Sequence, residues 1–158
     1  MHIFSNLMFY AVRWGARRGL RDDGSPAAEQ RKETARRTGV RGETYGYWYL
    51  PRHGYVFVAK NYIPRGAKGE LDLVGYDGKT LAFVEIRTRT VREKDCASPE
   101  LSVTSTKQAA LVRTAHRFLA DRHLNDCPCR FDVLAIDNIP GQLPAVRLHK
   151  DAFSPQLH

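Results

Sequence analysis

The tetrapeptide Tyr76-Asp77-Gly78-Lys79 constrains this chain more than any other feature. It separates two β-rich runs, Leu71 to Val74 and Leu81 to Arg89, and Asp-Gly between such runs is a strong signal for a two-residue hairpin turn. With Asp77-Gly78 as the loop, Asp72 faces Phe83 and Glu70 faces Glu85 across the hairpin. Strand side chains alternate between faces, and directly paired residues share one. Glu70, Asp72, Val74, Leu81, Phe83, Glu85 and Arg87 therefore fall on a single face, apolar near the turn and acidic away from it.

Like charges set opposite one another destabilise a hairpin, so crowded carboxylates need a cation or a raised pKa to relieve them. Two readings follow. In one, the acids hold a hard divalent ion such as Mg²⁺, which takes one or two carboxylates together with water and phosphate. In the other, the strand ends are exposed and the acids pair with Lys68, Arg87 and Arg89. Glu43 lies on the helical stripe of Tyr47 and Leu50, and Lys107 stands one turn before Leu111 on the stripe of Ala115 and Phe118. Each alone is an ordinary snorkelling or first-turn residue. Charged residues in line with apolar stripes usually have a partner, and with the hairpin acids these two suggest one shared site.

The rest of the chain supplies the frame. Glu43 to Leu50 reads as a helix ended by Pro51 and Gly54, Tyr55 to Ile63 as a strand, and Thr104 to Arg122 as a helix with Leu111, Ala115, Phe118 and Leu119 on one stripe. Phe131 to Ile136 reads as a buried strand and Val146 to His149 as an edge strand. A helix between the hairpin and the Phe131 strand implies a crossover, hence an α/β fold with a mixed β-sheet flanked by helices. The expected organisation is a basic, mobile extension over 1–40, a folded domain over 41–150 and a tail over 151–158.

Charge narrows the partners. Lys and Arg total 25 against 17 acids, a net +8, which favours a polyanionic partner, whether nucleic acid or anionic lipid. The same surplus can simply keep a domain soluble. Much of it lies between Arg13 and Arg41, broken at Asp22 to Pro26 and with a helical stretch expected near Ala27 to Arg37, and this region is either a phosphate-contacting arm or a dispensable solvated one. The candidate phosphate contacts are Arg36, Arg37, Arg41, Lys68 and Arg89. No run approaches the ~20 apolar residues of a membrane span, and residues 1–12 lack the pattern of a signal peptide. Cys96, Cys127 and Cys129 form no disulfide-like framework and no four-ligand zinc set. A cytoplasmic protein with no membrane partner is expected.

The stretches GETYGYWYLPRHGYVFVAKNY from Gly42, GELDLV from Gly69, FVEIRTR from Phe83, Lys107-Gln108 and RFDVL from Arg130 together resemble the YraN-like proteins, in order and at matching spacing, over roughly Arg41 to Leu148. The resemblance implies a restriction-endonuclease-like fold, similar to Holliday-junction resolvases, with a PD-(D/E)xK-type centre. It implies Asp72 and Glu85 as ligands of Mg²⁺ or Mn²⁺, helped by the Ile86 carbonyl and by Glu43 from the helix. Glu70 belongs to the family's GE-x-D pattern and Gln108 to its Lys-Gln pair, neither with an assigned role, and Asp132 is expected as a structural partner of basic groups. One position departs from the pattern, because Arg87 stands where such centres carry Lys. Arg stays protonated and presents a planar fork, so it can neutralise phosphate charge but cannot act as a base. Either activity is lowered, or the role passes to Lys107, or the site has become a binding surface. The expected function is metal-dependent hydrolysis of structured or branched nucleic acid, DNA ahead of RNA, with a homodimer left open. The alternative is a non-enzymatic nucleic-acid-binding or assembly module on the same fold.

Overall fold

A computed structural model of the chain describes residues 2–18, 28–66, 68–91, 103–139 and 142–154. Helices α1 (His2–Arg18) and α2 (Ala28–Tyr49) lead through a 3₁₀ turn, Leu50–His53, into strands β1 (Tyr55–Tyr62), β2 (Leu71–Asp77) and β3 (Thr80–Thr90). Helix α3 (Ser105–Asp121), strand β4 (Cys129–Asn138) and strand β5 (Ala145–Phe153) complete the described elements. The five strands form one sheet in the order β1-β2-β3-β4-β5. Only the β3–β4 pair is parallel, and it needs a long crossover, which α3 provides. This is an α/β fold with a mixed sheet flanked by helices, compatible with the restriction-endonuclease-like fold.

The central strands read LAFVEI and FDVLAI because both their faces are covered. On one face Leu71, Val74, Leu81, Phe83, Phe131 and Val133 pack with Leu111, Ala115, Phe118 and Leu119 of α3. On the other, Leu73, Val84, Ile86, Leu134 and Ile136 pack with Tyr45, Leu50 and Phe9 from the α2 side. Both faces of the central strands carry buried acids: Glu85 and Asp137 are 4% and 6% exposed on one face, and Asp132 is fully buried on the α2 side.

Helix α2 approaches the sheet through glycine. A Cβ at Gly42 would lie 1.8 Å from Thr88 Oγ1, and one at Gly46 would lie 2.7 Å from Ile86 Cδ1. A larger residue at either position requires those sheet side chains, or the helix itself, to shift.

One sequence expectation is corrected. The hairpin loop is Gly78-Lys79, since Asp77 pairs with Thr80 and Leu73 with Val84. Gly78 carries φ +63 and Lys79 is not left-handed, the pattern of a turn that needs glycine at its first loop position. Moving the loop by one residue moves every partner by two, so the faces are preserved while the pairs change. Continued outward, the register sets Asp72 opposite Glu85 and Glu70 opposite Arg87. In the N-terminal region, the helical stretch expected near Ala27 to Arg37 lies within α2, which starts at Ala28. The described residues there are helical, and α2 begins well ahead of Glu43. Phe9 of α1 is 5% exposed, packed edge-on to Tyr45 with the Arg52 guanidinium 4.5 Å from its ring centre. The break expected at Asp22 to Pro26, and Cys96, lie outside the described residues.

Candidate active site

The centre forms where β2 and β3 part. Their ladder stops at Leu73–Val84, so the next outward N–H of β3, that of Ile86, meets no strand carbonyl. Asp72 Oδ2 accepts it instead, at 2.7 Å. In an extended strand one residue's N–H and C=O leave from the same edge, so the Ile86 carbonyl also faces the Asp72 side. A side chain thus caps the end of a ladder, and that fixes the carboxylate beside Glu85.

Cations hold only one side of Glu85. Lys107 Nζ, from the first turn of α3, lies 3.2 Å from Oε1, and Arg87 Nη1 lies 3.6 Å from the same atom. Oε2 is buried and has no hydrogen-bond partner. The start of α3 is well anchored: the Thr104 hydroxyl accepts the Lys107 N–H, and Gln108 Nε2 donates to the Val103 carbonyl at 3.0 Å. Gln108 therefore braces the turn that carries Lys107.

Burial dominates the electrostatics. It raises the Asp72 carboxyl, as does the neighbouring Glu85 charge, while the Ile86 N–H and Lys107 oppose them; the result is a pKa of about 7. Glu85 is also raised, mainly by burial, against the pull of Lys107 and then Arg87. Glu43 approaches from α2. Its charge adds a small upward push on Asp72, and its Oε2 accepts from Asn61 Nδ2 at 3.4 Å. Glu70 is exposed at the mouth, where its charge works against Glu85 ionising.

The donor set fits a hard divalent ion. Asp72, Glu85 and the Ile86 carbonyl offer oxygen only, and an unpartnered, buried carboxylate oxygen is a group that a cation would satisfy. Among the described residues no three His, Cys, Asp or Glu side chains converge on one point. Asp72 and Glu85 are the two carboxylates brought together, and Glu43 lies at their margin.

The other expected residues spread more widely. Lys68 is exposed just ahead of β2. Arg89 lies on the Glu85 face of β3 and donates from Nε to Asp137 Oδ1 at 2.8 Å. Arg41 lines a shallow cleft on the α2 face with Gly42, Thr88 and Asn138. Arg36 and Arg37 sit on α2 in a stretch whose side chains lie outside those described. Asp132 faces away from the centre, where it accepts from Tyr55 Oη at 2.7 Å, Arg130 Nε at 2.9 Å and the Asp151 N–H at 2.8 Å. That saturated network gives Asp132 a structural place. Three neighbours went unnoticed in the sequence: Asn61, Asp137 and Arg147. An Asn within the run YVFVAKNYI is a signal, since strands disfavour it, and Asn61 adopts φ +49. Asp137 and Arg147 carry no local signal.

Fold and centre thus define a mixed-sheet α/β protein with a buried carboxylate, Glu85, beside a partly buried one, Asp72, and two attendant cations. The sequence profile of the uncharacterised protein family UPF0102 matches residues 42–136, and the chain belongs to that family. Similar proteins include a UPF0102 protein of Koribacter versatilis (strain Ellin345), 38% identical over 117 residues, or 74% of this chain and 79% of that one. Others are from Geotalea uraniireducens (strain Rf4), 40% identical over 115 residues covering 73% and 87%, and Herminiimonas arsenicoxydans, 42% identical over 113 residues covering 71% and 87%. The family match contains Glu43, Asp72, Glu85, Arg87, Lys107 and Asp132. No described helix is long and apolar enough to cross a membrane.

Proposed function

We propose that the chain is a metal-dependent endonuclease-like protein that hydrolyses phosphodiester bonds in structured or branched nucleic acid. The observation that carries this reading is Glu85: buried, held by two cations at one oxygen, and left without a partner at the other, beside Asp72. Asp72, Glu85 and the Ile86 carbonyl would hold Mg²⁺ or Mn²⁺, which when bound polarises the phosphate and lowers the pKa of the attacking water. Lys107 and Arg87 place positive charge beside the position of the reacting phosphate, where it offsets charge developing in the transition state. Lys107, on a capped helix start, is the residue of the two that can also orient or exchange a proton with water. Glu43 would serve from the rim through a water molecule. The net charge of +8 favours a polyanionic substrate. DNA ahead of RNA, and a homodimer on a two-fold-symmetric junction, follow from the resolvase resemblance.

Arg87 favours a second reading, a nuclease fold kept as a binding or assembly module, because Arg cannot replace Lys as a proton carrier. One experiment separates the two: incubation of branched and single-stranded DNA with wild type, Glu85→Gln and Arg87→Lys in Mg²⁺ or Mn²⁺. Cleavage by wild type that Glu85→Gln abolishes supports the nuclease. Cleavage gained only in Arg87→Lys supports the module, and cleavage indifferent to Glu85→Gln refutes the assigned centre.

A further inference from the structure

The segment that joins β1 to β2 is fastened to α3 at both of its ends. At the β1 end the Tyr62 hydroxyl donates to Asp121 Oδ2 at 2.7 Å, and the Tyr62 ring meets Phe118 edge-on at 5.0 Å. At the β2 end Gly69 adopts φ +131, and a Cβ there would lie 2.2 Å from Thr114 Oγ1. Glycine alone supplies that backbone together with so close an approach. Thr114 is itself buried, its hydroxyl donating back to the Ala110 carbonyl at 2.8 Å. Lys68 and Arg113, the chain neighbours of the touching pair, therefore flank one seam, the first from the loop and the second from the helix.

Cations outnumber acids along this seam. Residues 63–69 contain Arg65 and Lys68 and no acid. Helix α3 contains one acid, Asp121, which already accepts from Tyr62 and pairs with Arg117 Nε at 3.2 Å. Glu70, the next acid along the chain, lies at the mouth of the centre, opposite Arg87 in the extended register. Arg65, Lys68 and Arg113 are all exposed, and among the described residues none of them makes an ion pair. Arg113 lies roughly 9 Å beyond Lys107 along the helix axis. That is a span of roughly two to three nucleotides, at about 3.4 Å each. Long side chains on a helix lean toward its N-terminus, here the end that carries Lys107 and the centre. The proposed chemistry uses none of the three cations.

We propose that Lys68 and Arg113 form a phosphate-binding seam that holds the nucleic-acid backbone beyond the phosphate at Glu85 and Lys107. The seam rests on the nucleic-acid part of the proposed function and adds a path: the bound strand leaves the centre along the line between α3 and the β1–β2 segment. A polyanion fits exposed cations that have no acid of their own, and contact with them releases its condensed counterions. The backbones on both sides are held in advance, which lowers the ordering cost of binding.

The test is polarisation of labelled branched and single-stranded DNA in the cleavage-blocked Glu85→Gln protein, measured across a salt series. Lys68→Ala and Arg113→Ala in that background should each weaken binding about three- to tenfold and lower the log–log salt slope by about 0.7–0.9, the signature of one lost phosphate contact. The double variant should lower the slope by about twice as much. Arg113→Lys should keep the slope. Lys79→Ala removes an equal charge at the exposed hairpin turn and should leave slope and affinity unchanged. Thermal melts confirm that each variant folds. Parent-like slope and affinity in the double variant overturns the seam alone, as does an equal loss in Lys79→Ala. Binding to anionic lipid vesicles in place of DNA, lost in the double variant, would assign the seam to a membrane surface and overturn it too. No binding of DNA or vesicles by the parent removes the nucleic-acid reading itself, and the seam with it.

Discussion

Asp72→Asn should stabilise the metal-free protein, and the gain should depend on pH. The folded state raises the Asp72 carboxyl from 3.8 to about 7. For an acid raised on folding, the favourable contribution is complete below the unfolded pKa and is lost as pH climbs through the folded one. Between pH 4 and pH 8 the chain therefore loses up to about 4 kcal/mol at this single group, taking about 1.4 kcal/mol per pKa unit. Asparagine keeps the oxygen that accepts the Ile86 N–H and turns an amide donor toward the Glu85 side. In EDTA at pH 8, Asp72→Asn should thus be more stable than wild type by roughly 2–4 kcal/mol, a rise in Tm of about 5–15 °C for a chain of this size. At pH 4 the difference should nearly vanish. Urea denaturation at both pH values measures it, and Mn²⁺ at pH 8 should narrow the gap by stabilising wild type alone. Equal stabilities at the two pH values, or a less stable variant at pH 8, would refute the argument from burial and Glu85 repulsion.

Other consequences test the frame around the centre. Gly42→Ala should cost about 2 kcal/mol or more, since the new Cβ overlaps Thr88 Oγ1, and Thr88→Ala should recover part of the loss in chemical denaturation. Phe9→Ala should cost about 3 kcal/mol and melt α1 first, followed by hydrogen exchange, because Phe9 is the buried anchor of that helix. Asp132→Asn should cost about 3 kcal/mol by leaving Arg130 and Tyr55 poorly matched in a buried network. If the metal-type centre is independent of that network, its divalent-ion binding should be unchanged wherever the variant stays folded.

The sequence exposes most of the centre for a physical reason. Strand alternation depends only on parity, so Glu70, Asp72, Glu85 and Arg87 were placed on one face even though the loop was displaced by a residue. The individual pairs depend on the turn itself, and Gly78 at the first loop position shifts Asp72 from Phe83 to Glu85. Lys107 was legible because helical periodicity sets it on the stripe of Leu111 and Phe118, and the structure brings its amine to Glu85. The Ile86–Asp72 hydrogen bond was hidden, since where a ladder stops is decided by three-dimensional strand divergence. So was the N-terminal packing: Phe9 meets Tyr45 and Arg52 from a great distance along the chain, and a basic composition gave no hint of it. Arg147 and Asp137 meet Arg89 only through the registers of β3, β4 and β5. Strand pairing of that kind leaves no periodic trace in any single segment.

The most direct test of the acid pair as a metal centre is Mn²⁺ binding, followed by calorimetry and by the paramagnetic signal of the ion, in the presence of a short oligonucleotide. The structure predicts saturable binding in the wild type that is lost in both Asp72→Asn and Glu85→Gln while each stays folded. Absence of binding in the wild type, or its survival in both variants, would contradict the assignment.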